Sequence, residues 1–519
     1  MKKHSKLACA VIAAMLTTSI AFSGCGKKDN DQTSNSGGKT VNGVDISKEV
    51  QLTMYLVGDP QPDAEKVYAE VNKKLKQDIN TTVNVKYLPW ADWSKKYPLV
   101  LASGEDLDAI YTADWMGYAA QATKGAFKEI TPETIKKYMP EYYDKVPANF
   151  WNEIKINGKM YMIPYMNQQV EGSNLIFYRG DLREKYNLPK IKSQDDLVNY
   201  LTTIVKNEKG MLGYDESAAG LVKVVQSLFY KQPNELFVYN TVPVFSTKLT
   251  DMNGTVNYDL DSPAYLDMLK TAKKLADSGA WTKSILASKN NNEKAFNSGK
   301  TPLIVSTPNY MVSNISILND TKPEWKVEVG DVAPDKLHES SSGIRSGMTI
   351  SASSKNVERT MLMLNLFGTR KDYYDLTTYG IEGVHYTAIG DNKYKALDAG
   401  VKNFAAGGNC PWGWERKDFV RVPDKTPDDI ANLESNWIKN GLSSKNPIVS
   451  FNFDDSTVKN EVAACNNIYQ TRGYILLTGL SANPEADLAA MKDELNKAGI
   501  DKIKTELQKQ VTAYLKSLK

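Results

Sequence analysis

Apolar and polar positions alternate where the body of the chain begins. In EVQLTMYLVGDP, Leu52, Met54 and Leu56 fall on one face of a strand that stops at Gly58 and Pro60. The next stretch, DAEKVYAEVNKKLKQDIN, changes period: Val67, Val71 and Leu75 recur every four residues, as on one side of a helix. TTVNVKYLP then alternates again through Val83, Val85 and Tyr87. Strand, helix and strand in so short a span predict a βαβ unit and a parallel sheet. DAIYTADW (108–115) predicts a further strand. At the other end, Asn483-Pro484-Glu485 predicts a helix start, with Leu488, Met491 and Leu495 as its buried stripe and Gly499 beyond its end. A second amphipathic helix follows, with Ile500, Ile503, Leu507, Val511, Tyr514 and Leu518 on one side.

Ahead of this body lies a different pattern. Met1 to Lys6 is basic, and Leu7–Phe22 is apolar and uncharged but shorter than the roughly 20 residues a spanning helix needs. That layout predicts a secretory signal. Its close, FSGC, resembles a bacterial lipobox, which implies cleavage after residue 24 and acylation of Cys25. Two or three acyl chains anchor stably where one does not, at about 0.8 kcal/mol per buried CH₂. Residues 26–47, rich in Gly, Ser, Asn and Lys, read as a flexible tether. No other apolar run is long enough to span a bilayer. The residues after the tether exceed what one core usually supports, so two or more lobes are expected.

Charge narrows the partners. Basic side chains number 64 against 61 acidic, and loss of Lys2, Lys3 and Lys6 with the signal brings both to 61. A balanced surface argues against nucleic acid and against strongly charged cargo. With Cys9 lost and Cys25 acylated, Cys410 and Cys465 remain; they are read either as one disulfide or as two free thiols. Only His338 and His385 survive maturation, too few for a His-rich zinc site. NSGKT (297–301) and SGGKT (36–40) lack the first glycine of a phosphate loop, and neither G-x-S-x-G nor H-E-x-x-H occurs. DMNGTVNYDLD (251–261) spaces oxygen ligands but puts its glycine at the fourth position, so Asn253-Gly254 reads as a turn. No metal or cofactor is therefore expected.

Several stretches resemble the extracellular solute-binding proteins of ABC importers, family 1, the sugar-binding group. LVLASGEDLDAIYTADW (99–115), GKMYMIPY (158–165), NLIFYRGDLREKYNLP (174–189), YDLDSPAYLDMLKTAKKLADSGAW (258–281) and EKAFNSGKTPLIVS (293–306) match its segments in order. YGIEGVHYT (379–387) and the closing helices look like the long Gram-positive lipoprotein branch. Residues 195–257 and 400–425 match no segment of the family. The resemblance implies an α/β, two-lobed, periplasmic-binding-protein-like (type II) fold with additional C-terminal helices. It implies a first lobe from 48–168 and 343–400, and a second from 169–342 and 401–519. Hinge crossings then fall near Tyr165–Ser173 and Ser340–Gly347.

The same resemblance implies a lipid-anchored receptor on the outer face of a Gram-positive cytoplasmic membrane. It would be a monomer that captures an oligosaccharide between its lobes and delivers it to permease subunits. A receptor for peptide or other non-sugar cargo is the alternative, and an exported glycosidase a more remote one. Sugars present apolar C–H faces and hydroxyl edges, so aromatic platforms with carboxylates, amides and Arg are sought. Ligands in open α/β sheets sit beyond the carboxyl ends of strands, which favours Trp115 and Asp114. Trp90 and Trp93 follow a strand end in YLPWADW. In GGNCPWGWERKDF, Trp412 and Trp414 are two apart, so an extended backbone would aim both at one elongated ligand, beside Glu415 and Arg416. Asn167 and Gln168, at the first crossing, are candidates for the cleft floor.

Overall fold

The computed structural model describes residues 39–171, 175–230 and 235–518. The signal, Cys25 and Ser173 lie outside the described residues. The body begins earlier than the tether reading places it. Thr40–Val41 and Val44–Asp45 pair across Asn42-Gly43, both at positive φ, and Ile46 is buried. Asn-Gly is the preferred centre of such a two-residue hairpin.

The strands that build the lobes are numbered in chain order. In the first lobe, β1 (Val50–Val57), the helix Ala64–Ile79 and β2 (Thr81–Leu88) form the predicted βαβ unit, followed by the helix Trp93–Ala102 and β3 (Ala109–Thr112). Val67, Val71 and Leu75 are all fully buried, as their spacing predicts. β1 pairs in parallel with both β2 and β3. β4 (Met162–Pro164) ends the first passage through this lobe. The chain leaves through β5 (Val170–Glu171) and returns through β9 (Glu339–Ser340), which pair antiparallel as the two crossings. Between them, β6 (Leu175–Tyr178) is the centre of an antiparallel sheet flanked by β7 (Leu303–Ser306) and β8 (Glu328–Asp331). On return, β10 (Gly347–Ile350) inserts antiparallel between β3 and β4, giving the five-stranded order β2-β1-β3-β10-β4.

Two separate cores follow from this path. One gathers residues from 46–166 and 344–414; the other joins the second lobe to the C-terminal helices Pro484–Lys497 and Ile500–Ser517. The Asn483 side chain accepts from the Ala486 amide, and Gly499 takes φ 91° between the two helices, as predicted. Leu515, rather than Leu518, completes the buried stripe.

Residues 401–423 pack with the first lobe, a correction to the boundary at 400. Trp414 is fully buried against Phe367, and its indole donates to Thr377 Oγ1 at 3.1 Å. Arg421 pairs with Asp375 at 2.9 Å, and Val422–Pro423 joins Lys393–Ala396 in parallel. Only beyond this does the chain re-enter the second lobe, where Ile430 and Trp437 join a smaller cluster with Phe177 and Trp325. Cys410 and Cys465 are both free thiols in different cores, so no disulfide links them.

Arg359 closes the first lobe from behind. It is 5% exposed and donates to the carbonyls of Asp45, Ile79 and Asn80 and to Thr81 Oγ1 at 2.6–3.1 Å. It thereby satisfies carbonyls at a helix C-terminus, where a cation is also favoured by the helix dipole. Arg359→Ala is expected to cost about 3 kcal/mol in urea unfolding, because several buried carbonyls lose their donor together. Lysine at this position should restore little of that loss, since one ammonium cannot span the fork.

Candidate functional site

Three parallel strands aim their carboxyl ends at one edge of the first lobe, the edge at which open α/β sheets bind ligands. Trp90 and Trp93 follow β2, and Trp115 sits in the turn Asp114–Met116 after β3. The fourth indole arrives from far along the chain. The Ala405 amide donates to Gln61 Oε1, and the Tyr87 hydroxyl donates to Asn409 Oδ1 at 3.3 Å. Those bonds lay residues 405–412 over the ends of β1 and β2.

The result is a continuous aromatic patch. Ring centroids lie 6.1 Å apart for Trp90–Trp115, 6.1 Å for Trp90–Trp412 and 5.1 Å for Trp93–Trp115. Tyr111 is buried beneath, 6.1 Å from Trp115 and 5.7 Å from Trp412. Trp90 remains 48% and Trp115 37% exposed. Large aromatics left open in a contiguous group mark an interaction surface. Trp414 does not join it. Residues 411–414 form a turn of 3₁₀ helix rather than an extended strand. At three residues per turn, side chains two apart diverge, and Trp414 enters the core.

Polar groups rim the patch. The Trp115 amide donates to Asp114 Oδ1 at 2.6 Å, and Arg345 lies 3.6 Å from the same oxygen. Burial raises the Asp114 pKa, and the Arg345 guanidinium opposes the rise. Glu415 stands where the crossings meet. Its Oε1 accepts from the Asn167 amide and, at 2.8 Å, from Gln169 Nε2, while its backbone carbonyl accepts from the Met166 amide at 2.7 Å. Burial raises the Glu415 pKa, and the two amides hold it down in part. Gln168 is exposed and Asn167 buried. Arg416 is turned away: it forks onto Asp418 at 2.8 and 2.9 Å, reaches Glu141 at 3.3 Å and stacks on Phe419. The side chain is buried, and three of its five N–H donors are engaged by carboxylates of the first lobe. Tyr111, Arg345 and Gln169 escaped sequence reasoning; each carries its meaning only through the sheet order and the crossings.

Of the hinge candidates, Ser340 lies in the crossing pair opposite Val170, and its hydroxyl meets Ser443 and the Ser444 carbonyl. The Tyr165 hydroxyl donates to Ser341 Oγ at 2.5 Å. Gly347 is a packing residue instead: an added Cβ would stand 2.6 Å from the Ile163 carbonyl and 2.7 Å from Met162 Cγ. Beside the second crossing, His338 stacks on Trp437 with centroids 3.8 Å apart. Burial lowers its pKa to about 4.

Among the described residues, no group of three or more His, Cys, Asp and Glu could hold a metal ion, and no helix is long and apolar enough to cross a membrane. Two α/β lobes joined by paired crossings, with an open aromatic patch at one strand edge, define a two-lobed binding protein. Residues 58–372 match the bacterial extracellular solute-binding proteins, and the chain belongs to that family. Residues 447–516 match a domain of unknown function, DUF3502. A carbohydrate ABC transporter substrate-binding protein of Streptococcus pneumoniae is 24% identical over 100% of both chains. The polygalacturonan/rhamnogalacturonan-binding protein YtcQ of Bacillus subtilis is 24% identical over 76% of this chain and 77% of its own. The crystal structure of the N-glycan transport solute-binding protein NgtS from Streptococcus pneumoniae superimposes with a TM-score of 0.75 at 22% identity, covering 91% of this chain and 100% of that one.

His338 makes the crossing sensitive to acid. Its folded pKa of about 4 lies below the unfolded 6.5, so the unfolded chain binds the extra proton between those values. Its contribution is intact above pH 6.5 and lost as pH falls toward 4, by up to about 3 kcal/mol. His338→Phe keeps a ring on Trp437, and is expected to flatten the urea-measured stability profile across that window.

Proposed function

We propose that this chain is the extracellular binding subunit of an ABC importer, held to the outer face of the membrane by acylated Cys25 and taking an oligosaccharide between its lobes. The aromatic patch carries the reading. Trp90, Trp115 and Trp412 offer adjoining ring faces, to which the C–H faces of successive sugar units can stack. Asp114, Arg345, Gln168 and Glu415 supply acceptors and donors around it for hydroxyl groups. The relatives, with carbohydrate, pectic and N-glycan cargo, support a sugar over a peptide.

Capture works through the crossings. A ligand that touches both lobes favours the closed form only by its differential affinity for it. The β5–β9 pair and the Tyr165–Ser341 hydrogen bond keep the two strands together while the lobes move about them. Ser340, paired opposite Val170, is the hinge position proposed within the crossing pair itself. The reading is of a carrier rather than an enzyme. The family and its relatives from Streptococcus pneumoniae and Bacillus subtilis, named for substrate binding, support a carrier. The carrier acts as a monomer and hands its cargo to permease subunits.

Calorimetry of the mature body against N-glycan fragments and pectic oligomers tests the proposal. Binding by one of these series is expected, with Trp115→Ala or Trp412→Ala weakening it about tenfold or more, about 1.4 kcal/mol. Arg416→Gln should lower thermal stability and leave affinity nearly unchanged. Absence of heat with every glycan, together with heat from a peptide mixture, would contradict the proposal.

A further inference from the structure

A cavity of about 220 Å³ opens where the second lobe meets the C-terminal helices. It shares no residue with the aromatic patch or the crossings. One wall is a face of the helix Ala218–Phe229, on which Ala219, Val222, Lys223 and Gln226 recur at helical spacing. Asn240, Thr241 and Pro243 form a second wall. The third comes from Asn466, Tyr469, Gln470 and Tyr474, where the helix Lys459–Ile468 passes through a π-helical turn, Tyr469–Gly473, into Tyr474–Leu477.

That turn is what builds the third wall. In an α-helix, residues five apart stand about 140° apart around the axis and face different neighbours. A π turn bonds i to i+5 and brings such residues onto one side. Tyr469 and Tyr474 accordingly meet edge to face with centroids 5.9 Å apart. Single π turns are rare and cluster at functional sites.

The floor is polar and already ordered. Gln226 is 6% exposed; its Nε2 donates to the Pro243 carbonyl at 3.1 Å and its Oε1 accepts from the Tyr469 hydroxyl at 3.1 Å. At the rim, exposed or half-exposed groups have bonding capacity to spare. Among the described residues, none bonds the Asn240 amide or the Tyr474 hydroxyl, and Gln470 makes only a long contact of 3.4 Å to Asn466. Among the described residues of the lining, Lys223 alone is charged.

We propose that this cavity is a second binding site, for a neutral polyhydroxylated ligand of one ring, a monosaccharide or the terminal unit of a glycan. The volume is below the roughly 300–1,000 Å³ of pockets that enclose drug-sized ligands, which sets the size at about one ring. Amide and hydroxyl groups around an aromatic wall set the chemistry, since they offer donors and acceptors to hydroxyls and an apolar surface to a sugar face. The lining alone carries the inference, whatever the interlobe cleft binds.

Saturation-transfer NMR on the mature chain with mannose, galactose and N-acetylglucosamine tests it, using two double variants of exposed or half-exposed residues. In Trp115→Ala/Trp412→Ala, transfer to the ring protons of at least one sugar should persist. In Asn240→Ala/Gln470→Ala, that affinity should fall about fivefold or more, with thermal stability unchanged. Absence of transfer to every sugar in the tryptophan variant would overturn the inference, as would transfer undiminished in Asn240→Ala/Gln470→Ala. Failure of oligosaccharide binding in the cleft, with transfer retained here, would count against the cleft alone.

Discussion

Insertion of β10 between β3 and β4 is the constraint on which the rest of the molecule depends. Gly347 is paired on one side with Thr112 and on the other with Pro164, so the chain re-enters the first lobe beside the point where it left. The room for this comes from a missing side chain, because any Cβ at 347 would collide with Ile163 and Met162. Two crossings are thus forced together, and the interlobe cleft has a single floor. The same strand also sets the aromatic patch. Ser346 donates to the Trp412 carbonyl at 2.9 Å, and Gly413 passes so close to Met348 that an added Cβ would stand 2.5 Å from its sulfur.

Among the described residues, no cation pairs with Glu415 at this junction. Glu415 Oε1 accepts from the neutral amides of Asn167 and Gln169, where most buried carboxylates find an Arg or Lys. Amide donors fix an oxygen without neutralising its charge, and that leaves a carboxyl whose proton affinity is raised by its surroundings. Arg416, the neighbouring residue, is occupied by Asp418 and Glu141. Charge is therefore separated at adjacent positions, Glu415 at the crossings and Arg416 buried against the body of the first lobe. This floor belongs to the first lobe, so in the proposed closure the movement falls on the β5–β9 pair and the third passage beyond Pro423.

Much of the fold was legible because it is written in local periods. The βαβ unit and the final helix pair are read from spacing alone, and Val67, Val71, Leu75, Leu488, Met491 and Leu495 are buried as that spacing requires. The family resemblance supplied the two lobes and the first two crossings. The third passage was placed too early because nothing local says that Trp414 is a core residue while Trp412 is not. That difference rests on a 3₁₀ turn, and the parity argument holds only for extended backbone. Trp90, Trp93, Trp115 and Trp412 were each legible as candidates, yet their assembly was not. It depends on Gln61 and Tyr87 holding a loop more than 300 residues away in sequence. Cys410 and Cys465 lie in different lobes for the same reason: chain order does not reveal which core a loop joins.

Small-angle X-ray scattering of the mature body tests the central claim most directly, namely that two rigid lobes close about β5 and β9 over the tryptophan patch. With saturating oligosaccharide that binds by calorimetry, the account predicts a smaller radius of gyration than in the free protein, and no such contraction in Trp115→Ala/Trp412→Ala. An unchanged radius in the presence of a bound oligosaccharide would contradict it.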